Sequence, residues 1–377
     1  MKNPNNQFYY LYNNKVPIKK FSIELTNRCA LGCPNCSRTS IARKGFIHDI
    51  SKTKQLDLDL IKNIFPKDLK DKNNGFVIDF TGNLGDAIYH PQFHEIIAYI
   101  KSINIKVQIT TNGSHRSKTW WEKTASILGP NDLIVFSVDG LKDTNHIYRI
   151  NARWEDIMEA ISICVPKTHV QWKWIVFRHN EHQIEEAKVL AKSMGVHSFL
   201  INKSGRFAKD DPMMPQAQEW VGQKNKNKSV VREVLKTRNK LKRLLLRPLI
   251  PVIKKMKTGV TIDENDLIIL PRCHTGEDAF ISCEAHFFPC CYTRDMTKKS
   301  WFIPHLNNLN LALRPLDDIL KDPVWDLMEK TWAKPSCAPD ECLRSCGVAK
   351  EFKNVYQGDS RSAEQDGKDN HFFVLNS

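Results

Sequence analysis

Eleven cysteines are the residues of this 377-residue chain with the most obvious capacity for chemistry. Three of them, Cys29, Cys33 and Cys36, lie within eight residues, and seven more form a second group in the C-terminal third. Clustered cysteines in a chain without an export signal indicate metal ligands or reactive thiols before disulfides. The remaining one, Cys164, falls on the apolar face of a predicted helix and is interpreted as a buried small hydrophobe.

The first group is spaced C-x3-C-x2-C directly after a β-rich run, Phe21–Leu25. Three thiolates on one tight loop can ligate three irons of a cubane, which leaves the fourth iron without a protein ligand. An open position on a metal is where a substrate or cofactor binds. The alternatives are unrelated buried thiols or a structural zinc knuckle, although no further His or Cys follows until His48.

Strand-like and helix-like stretches alternate from residue 20 to about residue 202. The β-rich runs are Phe21–Leu25, Phe76–Thr81, Ile105–Thr110, Leu133–Val138, Val170–Val176 and Ser198–Ile201. The helical stretches are Leu58–Ile64, Phe93–Ile103, Thr119–Leu128, Trp154–Ile163 and Ile184–Met194. This alternation predicts an α/β fold with a parallel sheet. Six strands fit a partial (β/α)6 TIM-like barrel, in which the loops after the strands carry the chemistry.

The cysteine loop on the first strand resembles the signature of the radical S-adenosylmethionine (radical SAM) superfamily. The resemblance covers about residues 20–202, and further motifs follow at successive strand ends. They are Leu84-Gly85-Asp86 in the place of the family's Gly-Gly-Glu, Thr110-Thr111-Asn112-Gly113, Ser137-Val138-Asp139-Gly140 and the stretch Trp174–Asn180. One departure is Asn35, which replaces an aromatic residue that packs on adenine in many relatives.

The resemblance implies a [4Fe–4S] cluster on the three cysteines and S-adenosylmethionine (SAM) bound beside it. Asp86 takes the place of the residue that contacts the methionine amino group. The later motifs take the place of residues that contact the ribose and the carboxylate of SAM. The implied cofactor-binding residues are Gly85, Asp86, Asn112, Ser137, Asp139 and Arg149. The implied reaction is reductive cleavage of SAM to methionine and a 5′-deoxyadenosyl radical, which abstracts a hydrogen atom from substrate. In such chemistry the protein supplies orientation and exclusion of competing reactions.

The second cysteine group resembles the C-terminal region called SPASM, or its shortened form, Twitch. Two short strands, Ala279–Ser282 and His286–Pro289, lie between Cys273 and Cys290, and a helical stretch Leu316–Trp332 follows. The resemblance implies one auxiliary [4Fe–4S] cluster. Its ligands are Cys273, Cys290 and two of Cys337, Cys342 and Cys346, and Cys283 and Cys291 are left over. A zinc ribbon is the alternative.

The net charge of +14 is concentrated between residues 224 and 257, where thirteen Lys or Arg stand beside one Glu. This segment could bind RNA, an acidic peptide or a phosphorylated substrate, or form a solvated surface helix. It contains no aromatic residue for base stacking, so nucleic acid is not favoured. The expected organisation is an N-terminal extension (1–19), the barrel (20–205), a basic insertion (206–269), a cysteine-rich hairpin/helix domain (270–350) and a polar tail (351–377).

The favoured function is radical SAM modification of a peptide or protein. The alternatives are dehydrogenation or rearrangement of a small alcohol or aminosugar, and a nucleic-acid-binding metalloprotein with structural clusters. The expected electron donor is of the flavodoxin or ferredoxin type. We expect a cytoplasmic location and no membrane association, because neither an apolar leader nor an apolar run of about 18 residues is present.

Overall fold

The computed structural model describes residues 6–7, 9–12, 15–39, 51–71, 73–204, 207, 210–221, 267–277, 279–294, 300–334, 337–349 and 370–375. The basic segment 224–257, and with it every prediction about that segment, lies outside the described residues.

The strands are β1 (Asn6–Gln7), β2 (Tyr10–Leu11), β3 (Val16–Pro17), β4 (Lys20–Ile23), β5 (Asn73–Asn74), β6 (Val77–Phe80), β7 (Lys106–Thr111), β8 (Leu133–Ser137), β9 (His169–Ile175), β10 (Ser198–Asn202), β11 (Leu267–Ile269), β12 (Ala279–Ile281), β13 (Phe287–Phe288), β14 (Gly347–Ala349) and β15 (Asn370–Val374). The α-helices are α1 (Leu58–Ile64), α2 (Phe93–Ser102), α3 (Lys118–Ile127), α4 (Asn145–Tyr148), α5 (Trp154–Cys164), α6 (Ile184–Ser193), α7 (Leu316–Leu320), α8 (Val324–Trp332) and α9 (Asp340–Cys346).

One sheet dominates the structure, with the strand order β13-β12-β4-β6-β7-β8-β9-β10-β15. Strands β4, β6, β7, β8, β9 and β10 pair in parallel in their sequence order, and a helix lies in every connection between them. This confirms the predicted partial (β/α)6 barrel. All six strands therefore end at the same edge of the sheet, where the motifs predicted to carry chemistry follow them.

Local sequence explains why these elements form and stop where they do. Along β9 the buried positions alternate, with Trp172 and Trp174 fully buried in the core. Asp57 accepts the Leu60 backbone N–H at 2.7 Å and so caps α1. The connection after α6 turns at Gly195, whose φ of +78° is the left-handed conformation that favours glycine.

The C-terminal cysteine-rich region extends the barrel sheet. The predicted hairpin is present as β12 and β13, and β12 pairs in parallel with the first barrel strand, β4. At the other edge, β15 pairs antiparallel with β10, which brings residues of the polar tail onto the barrel. The predicted helix Leu316–Trp332 is divided into α7 and α8, since Pro323 cannot continue a helix that precedes it.

The N-terminal extension packs against the cysteine-rich region. Its hairpin of β2 and β3 includes the buried Tyr12, and the Gly276 carbonyl oxygen accepts the backbone N–H groups of Lys19 and Lys20. A Cβ on Gly276 would lie 1.9 Å from the Pro17 carbonyl oxygen, so the two segments touch through their backbones. Among the described residues, we find no helix of the length and apolarity needed to cross a membrane.

Candidate functional site

The three cysteines of the first group line one cleft at the carboxyl end of the barrel strands. They follow β4, with Cys33 buried and Cys29 and Cys36 partly buried. The loop closes on itself, because the Cys36 N–H donates to the Cys33 carbonyl oxygen at 3.2 Å. It is also held from outside by the Gly32 N–H, which donates to the Ile150 carbonyl oxygen at 3.0 Å. The predicted triplet is thus a single, compact set of thiol donors.

The surroundings of these thiols favour their neutral form in the absence of a bound cation. Burial raises the pKa of the Cys29 thiol to about 12, and the nearby Asp86 carboxylate and the other two thiols add to the rise. Burial also raises the pKa of Cys33, although the Arg149 guanidinium opposes that rise. Thiolate ligands therefore require a positive partner that offsets their desolvation, which is what a cluster of iron ions provides. Two N–H groups, from Leu31 and the Asn112 side chain, point at Cys29 Sγ at 3.5 and 3.8 Å.

A glycine-containing loop after β6 forms the opposite wall of the cleft. A Cβ on Gly82 would lie 1.9 Å from the Gly85 carbonyl oxygen, and a Cβ on Gly85 would lie 2.0 Å from the Thr26 carbonyl oxygen. Gly82 must be glycine because the loop folds back on itself there, and Gly85 because it rests directly on the backbone that leads into Cys29. The Glu24 carboxylate accepts two backbone N–H groups of this loop, those of Asn83 and Leu84.

Asp86, at the end of this loop, is buried and accepts four hydrogen bonds within the protein. Its Oδ2 accepts from the Thr111 hydroxyl at 3.0 Å, the Asn112 N–H at 2.7 Å and the Asn112 side-chain amide at 2.5 Å. Its Oδ1 accepts the Ile88 N–H at 3.2 Å. Burial raises its pKa to about 6, against the lowering effect of these donors. The carboxylate thus uses its acceptor capacity to hold the ends of β6 and β7 together.

Arg149 brings a positive charge to the cleft, and Asp139 lies behind it. The Arg149 Nε donates to Asp139 Oδ2 at 2.7 Å, and the Ile175 N–H donates to Asp139 Oδ1 at 2.6 Å. Arg149 lines the cleft, whereas Asp139 is fully buried and is absent from its lining among the described residues. The pair holds the pKa of the guanidinium above its usual range despite burial. Asp139 therefore positions Arg149.

The remaining predicted residues also lie in this cleft. Gly85, Asn112 and Ser137 line it, together with Arg38, which the sequence reasoning did not single out. Arg38 Nη1 donates to the carbonyl oxygens of Asn27 and Leu84, so it joins the cysteine loop to the glycine loop. The feature of the sequence that could have pointed to Arg38 as a site residue is its position two residues after Cys36.

A small apolar cluster, separate from the barrel core, covers the cysteine loop. Its buried members are Leu31, Cys33, Tyr148, Phe177 and Phe207. The rings of Tyr148 and Phe177 lie 4.3 Å apart. Phe177 belongs to the stretch expected to line the site, and the cluster gives the cleft an apolar border that excludes water.

Four cysteines of the second group are buried and close together, beside the N-terminal hairpin. They are Cys273, Cys290, Cys342 and Cys346. Burial and the neighbouring thiols, Cys273 first among them, raise the pKa of Cys290 well above its usual value. The buried hydroxyl of Tyr12 lies 2.9 Å from Cys273 Sγ. This contact comes from the N-terminal extension, and no motif in the sequence marks it.

The other cysteines of this group are placed differently. Cys337 is exposed, and Cys291 is partly buried next to Cys290. Cys283 is buried beside the Arg294 guanidinium, with Arg294 Nη2 3.8 Å from its sulfur. Within the described ranges, no three His, Cys, Asp or Glu side chains are arranged to hold one metal ion. A cubane differs from such a site because each of its thiolates binds a separate iron.

Comparison with known proteins agrees with this geometry. Residues 23–191 match the Radical SAM superfamily. A curated relative from Pyrococcus furiosus, the tungsten-containing aldehyde ferredoxin oxidoreductase cofactor-modifying protein, is 23% identical over 194 residues, 49% of this chain and 51% of the relative. The match thus spans about half the length of that relative.

Two crystal structures of Streptococcus suis SuiB share the fold at 12% sequence identity. SuiB bound to the precursor peptide SuiA has a TM-score of 0.52 over 82% of this chain and 67% of that one. A second SuiB structure has a TM-score of 0.51 over 84% of this chain and 69% of that one. The family match, together with the cysteine-lined cleft, shows a radical SAM domain over residues 23–191, and the two SuiB structures share its fold.

Proposed function

We propose that the chain binds a [4Fe–4S] cluster on Cys29, Cys33 and Cys36 and cleaves SAM in the adjoining cleft to modify a peptide or protein. When bound, the cluster supplies one electron to the sulfonium, and the C5′–S bond breaks to give methionine and a 5′-deoxyadenosyl radical. The observation that carries the proposal is that three thiols, with no fourth cysteine among the described residues, line one cleft with Gly85, Asp86, Asn112, Ser137 and Arg149. Measurement of 5′-deoxyadenosine from SAM and a reductant tests it.

Arg149 is the proposed partner of the SAM carboxylate. Its guanidinium faces the cleft and is held at a fixed angle by Asp139, so little side-chain entropy is lost when an anion binds. Ser137, on the same wall, offers a hydroxyl to the ribose. We propose that Asp86 serves the site by fixing Asn112, because its own oxygens already accept four donors.

Replacement of this guanidinium gives the first testable expectation. Arg149→Met should weaken SAM binding by about 10- to 100-fold, since a hydrogen bond to a charged group contributes about 1.5–3 kcal/mol. The measurement is the Kd for SAM by equilibrium dialysis with iron-loaded protein. Arg153→Met is the matched control, because Arg153 is exposed and outside the lining of this cleft. Equal affinities in the two variants would remove Arg149 from the proposed contact.

We further propose that Cys273, Cys290, Cys342 and Cys346 hold an auxiliary [4Fe–4S] cluster. These four thiols are buried in one place, whereas Cys337, the third candidate from the last cysteine run, is exposed. Four buried cysteines fit a cluster that handles electrons without an open iron.

The Tyr12 hydroxyl provides a probe of this second centre. The Tyr12 oxygen lies 2.9 Å from Cys273 Sγ, so the O–H would donate to that sulfur once it is a thiolate ligand. Hydrogen bonds to ligand sulfur raise the potential of iron–sulfur clusters. Tyr12→Phe should therefore lower the reduction potential of one cluster, on the order of 20–60 mV for a lost bond of about 0.5–1.5 kcal/mol. Iron content should stay constant. Redox titration followed by electron paramagnetic resonance measures the shift, and Tyr99→Phe, whose buried hydroxyl donates to the Phe65 carbonyl oxygen, is the control.

The peptide or protein substrate rests on the shared fold with SuiB, which has been solved with its precursor peptide. Hydrogen abstraction can be tested directly with a deuterated candidate peptide, because deuterium should appear in 5′-deoxyadenosine.

A ferredoxin- or flavodoxin-type protein is the proposed electron donor. A reducing, cytoplasmic compartment is proposed because the eleven cysteines, all within described ranges, form no disulfide.

A further inference from the structure

A buried ion pair connects the wall of the SAM cleft to the cysteine-rich C-terminal region. Glu24 lies at the end of β4 with its side chain fully buried, and Arg294 lies in the short 3-10 helix Cys291–Arg294 that follows Cys290. Glu24 Oε2 and Arg294 Nη1 are 2.6 Å apart. Two opposite charges at this depth have no water to compensate them, so each depends on the other.

The other oxygen of Glu24 holds the glycine loop that lines the cleft. Oε1 accepts the backbone N–H of Asn83 at 2.8 Å and that of Leu84 at 2.5 Å. These are the central residues of the loop, between Gly82 and Gly85, and Gly85 rests on the backbone before Cys29. A carboxylate that accepts two adjacent backbone N–H groups fixes the orientation of the peptide units between them.

The C-terminal region holds Glu24 in two ways and also encloses its partner Arg294. The Glu24 N–H donates to the Ile281 carbonyl oxygen of β12 at 2.9 Å, in addition to the ion pair. The Arg294 guanidinium lies 5.4 Å from the centre of the Phe280 ring, and its Nη2 is 3.8 Å from Cys283 Sγ. Arg294 is thus enclosed by β12 and its hairpin and has little freedom to leave Glu24.

We propose that Arg294 is a positioning residue for the SAM site, acting through Glu24 on the peptide units of Asn83 and Leu84. The proposal rests on the proposed function for the identity of the ligand in the cleft. Under it, the C-terminal region contributes to SAM binding as well as to its own metal centre. A disturbance at Cys290, four residues before Arg294, is transmitted to the first cluster by this path.

The test compares three variants with a matched control. Arg294→Lys keeps the positive charge but loses the planar guanidinium, which can donate several hydrogen bonds in fixed directions. The double variant Glu24→Gln/Arg294→Met removes both charges together, so neither is left buried alone, while the Gln carbonyl can still accept the two N–H groups. Arg294→Met alone leaves the Glu24 carboxylate buried without its partner, and so shows what separating the pair costs. The control is Arg314→Met/Asp322→Asn, which removes the ion pair between Arg314 Nη1 and Asp322 Oδ2, also 2.6 Å apart in the C-terminal region.

Two measurements separate this proposal from the proposed function. Hydrogen–deuterium exchange of the segment 81–86, followed without SAM, should be at least about tenfold faster in the Glu24/Arg294 double variant than in the unmodified protein and the control. The Kd for SAM of iron-loaded protein should rise at least about tenfold in the double variant and less in Arg294→Lys. Unchanged exchange and unchanged affinity in a folded double variant would overturn the positioning role. A lack of SAM binding by the unmodified protein would overturn the proposed function, and the exchange result would still decide the loop contact.

Discussion

Replacement of Cys29, Cys33 and Cys36 by Ala should lower the iron content by about four atoms per chain. It should also abolish formation of 5′-deoxyadenosine, a loss of at least about 10⁶-fold if the reaction returns to its uncatalysed background. The reason is that, in the part of the chain that the structure describes, no other cysteine lines the cleft, so no neighbouring thiol can replace them. Iron analysis and product quantification on anaerobically prepared protein measure both effects.

Cys164→Ala is the matched control for this substitution. Cys164 is fully buried at the end of α5, and burial alone raises its pKa to about 12. It should retain the full iron content and product yield, with a small loss of stability because one sulfur atom leaves the core. If the triple variant kept its iron, or if Cys164→Ala lost it, the thiols of the cleft would not be the cluster ligands.

Cys290→Ala should remove the auxiliary cluster while leaving the first cluster and SAM cleavage in place. Cys290 is buried among the other three thiols of the proposed auxiliary site, and its loss leaves one iron there with neither a thiolate nor SAM as its ligand. Iron should fall from about eight to about four atoms per chain. SAM cleavage should continue at a reduced rate, because Arg294 lies in the same 3-10 helical turn as the residue after Cys290 and holds Glu24. Modification of the substrate should be lost.

Cys337→Ala provides the comparison, since Cys337 comes from the same cysteine run as Cys342 and Cys346 but is exposed. It should keep about eight irons per chain, as expected for two intact cubanes. If metal analysis of the unmodified protein found about four irons and one zinc per chain, the second site would be the zinc ribbon that the sequence left as the alternative. Iron loss in Cys337→Ala but not in Cys346→Ala would mean that the ligand set is wrong.

The barrel could be predicted because its signals are local. Each strand is a short β-rich run and each helix has its own apolar face, so α1 begins and ends where its sequence indicates, at Leu58 and Ile64. The C-x3-C-x2-C loop could be assigned to a strand end for the same reason. Parallel strands of a barrel then bring Asn112, Ser137 and Arg149 to one edge without any knowledge of their contacts.

The contacts between distant segments could not be predicted in this way. Glu24 looks like an ordinary strand residue in the sequence, and its pairing with Arg294, 270 positions later, depends on β12 lying next to β4. The same is true of Tyr12 and Cys273. Side-chain pairing of this kind leaves no periodic pattern, since it follows from the order of strands in the completed sheet.

The roles of individual site residues also needed the structure. Sequence position suggested that Asp139 contacts the cofactor, and the structure adds that its oxygens accept hydrogen bonds from Arg149 Nε and the Ile175 N–H. A buried carboxylate takes whatever donors its neighbours offer, and those neighbours come from β9 and the segment after α4.

The central claim is that SAM binds directly to an iron that the three thiols leave open. The most direct measurement is the electron paramagnetic resonance spectrum of the reduced Cys290→Ala protein, in which the first cluster is expected alone, recorded with and without SAM. We expect one cubane signal that changes shape and g-values when SAM is added. A cubane signal that is the same with and without SAM would contradict the account.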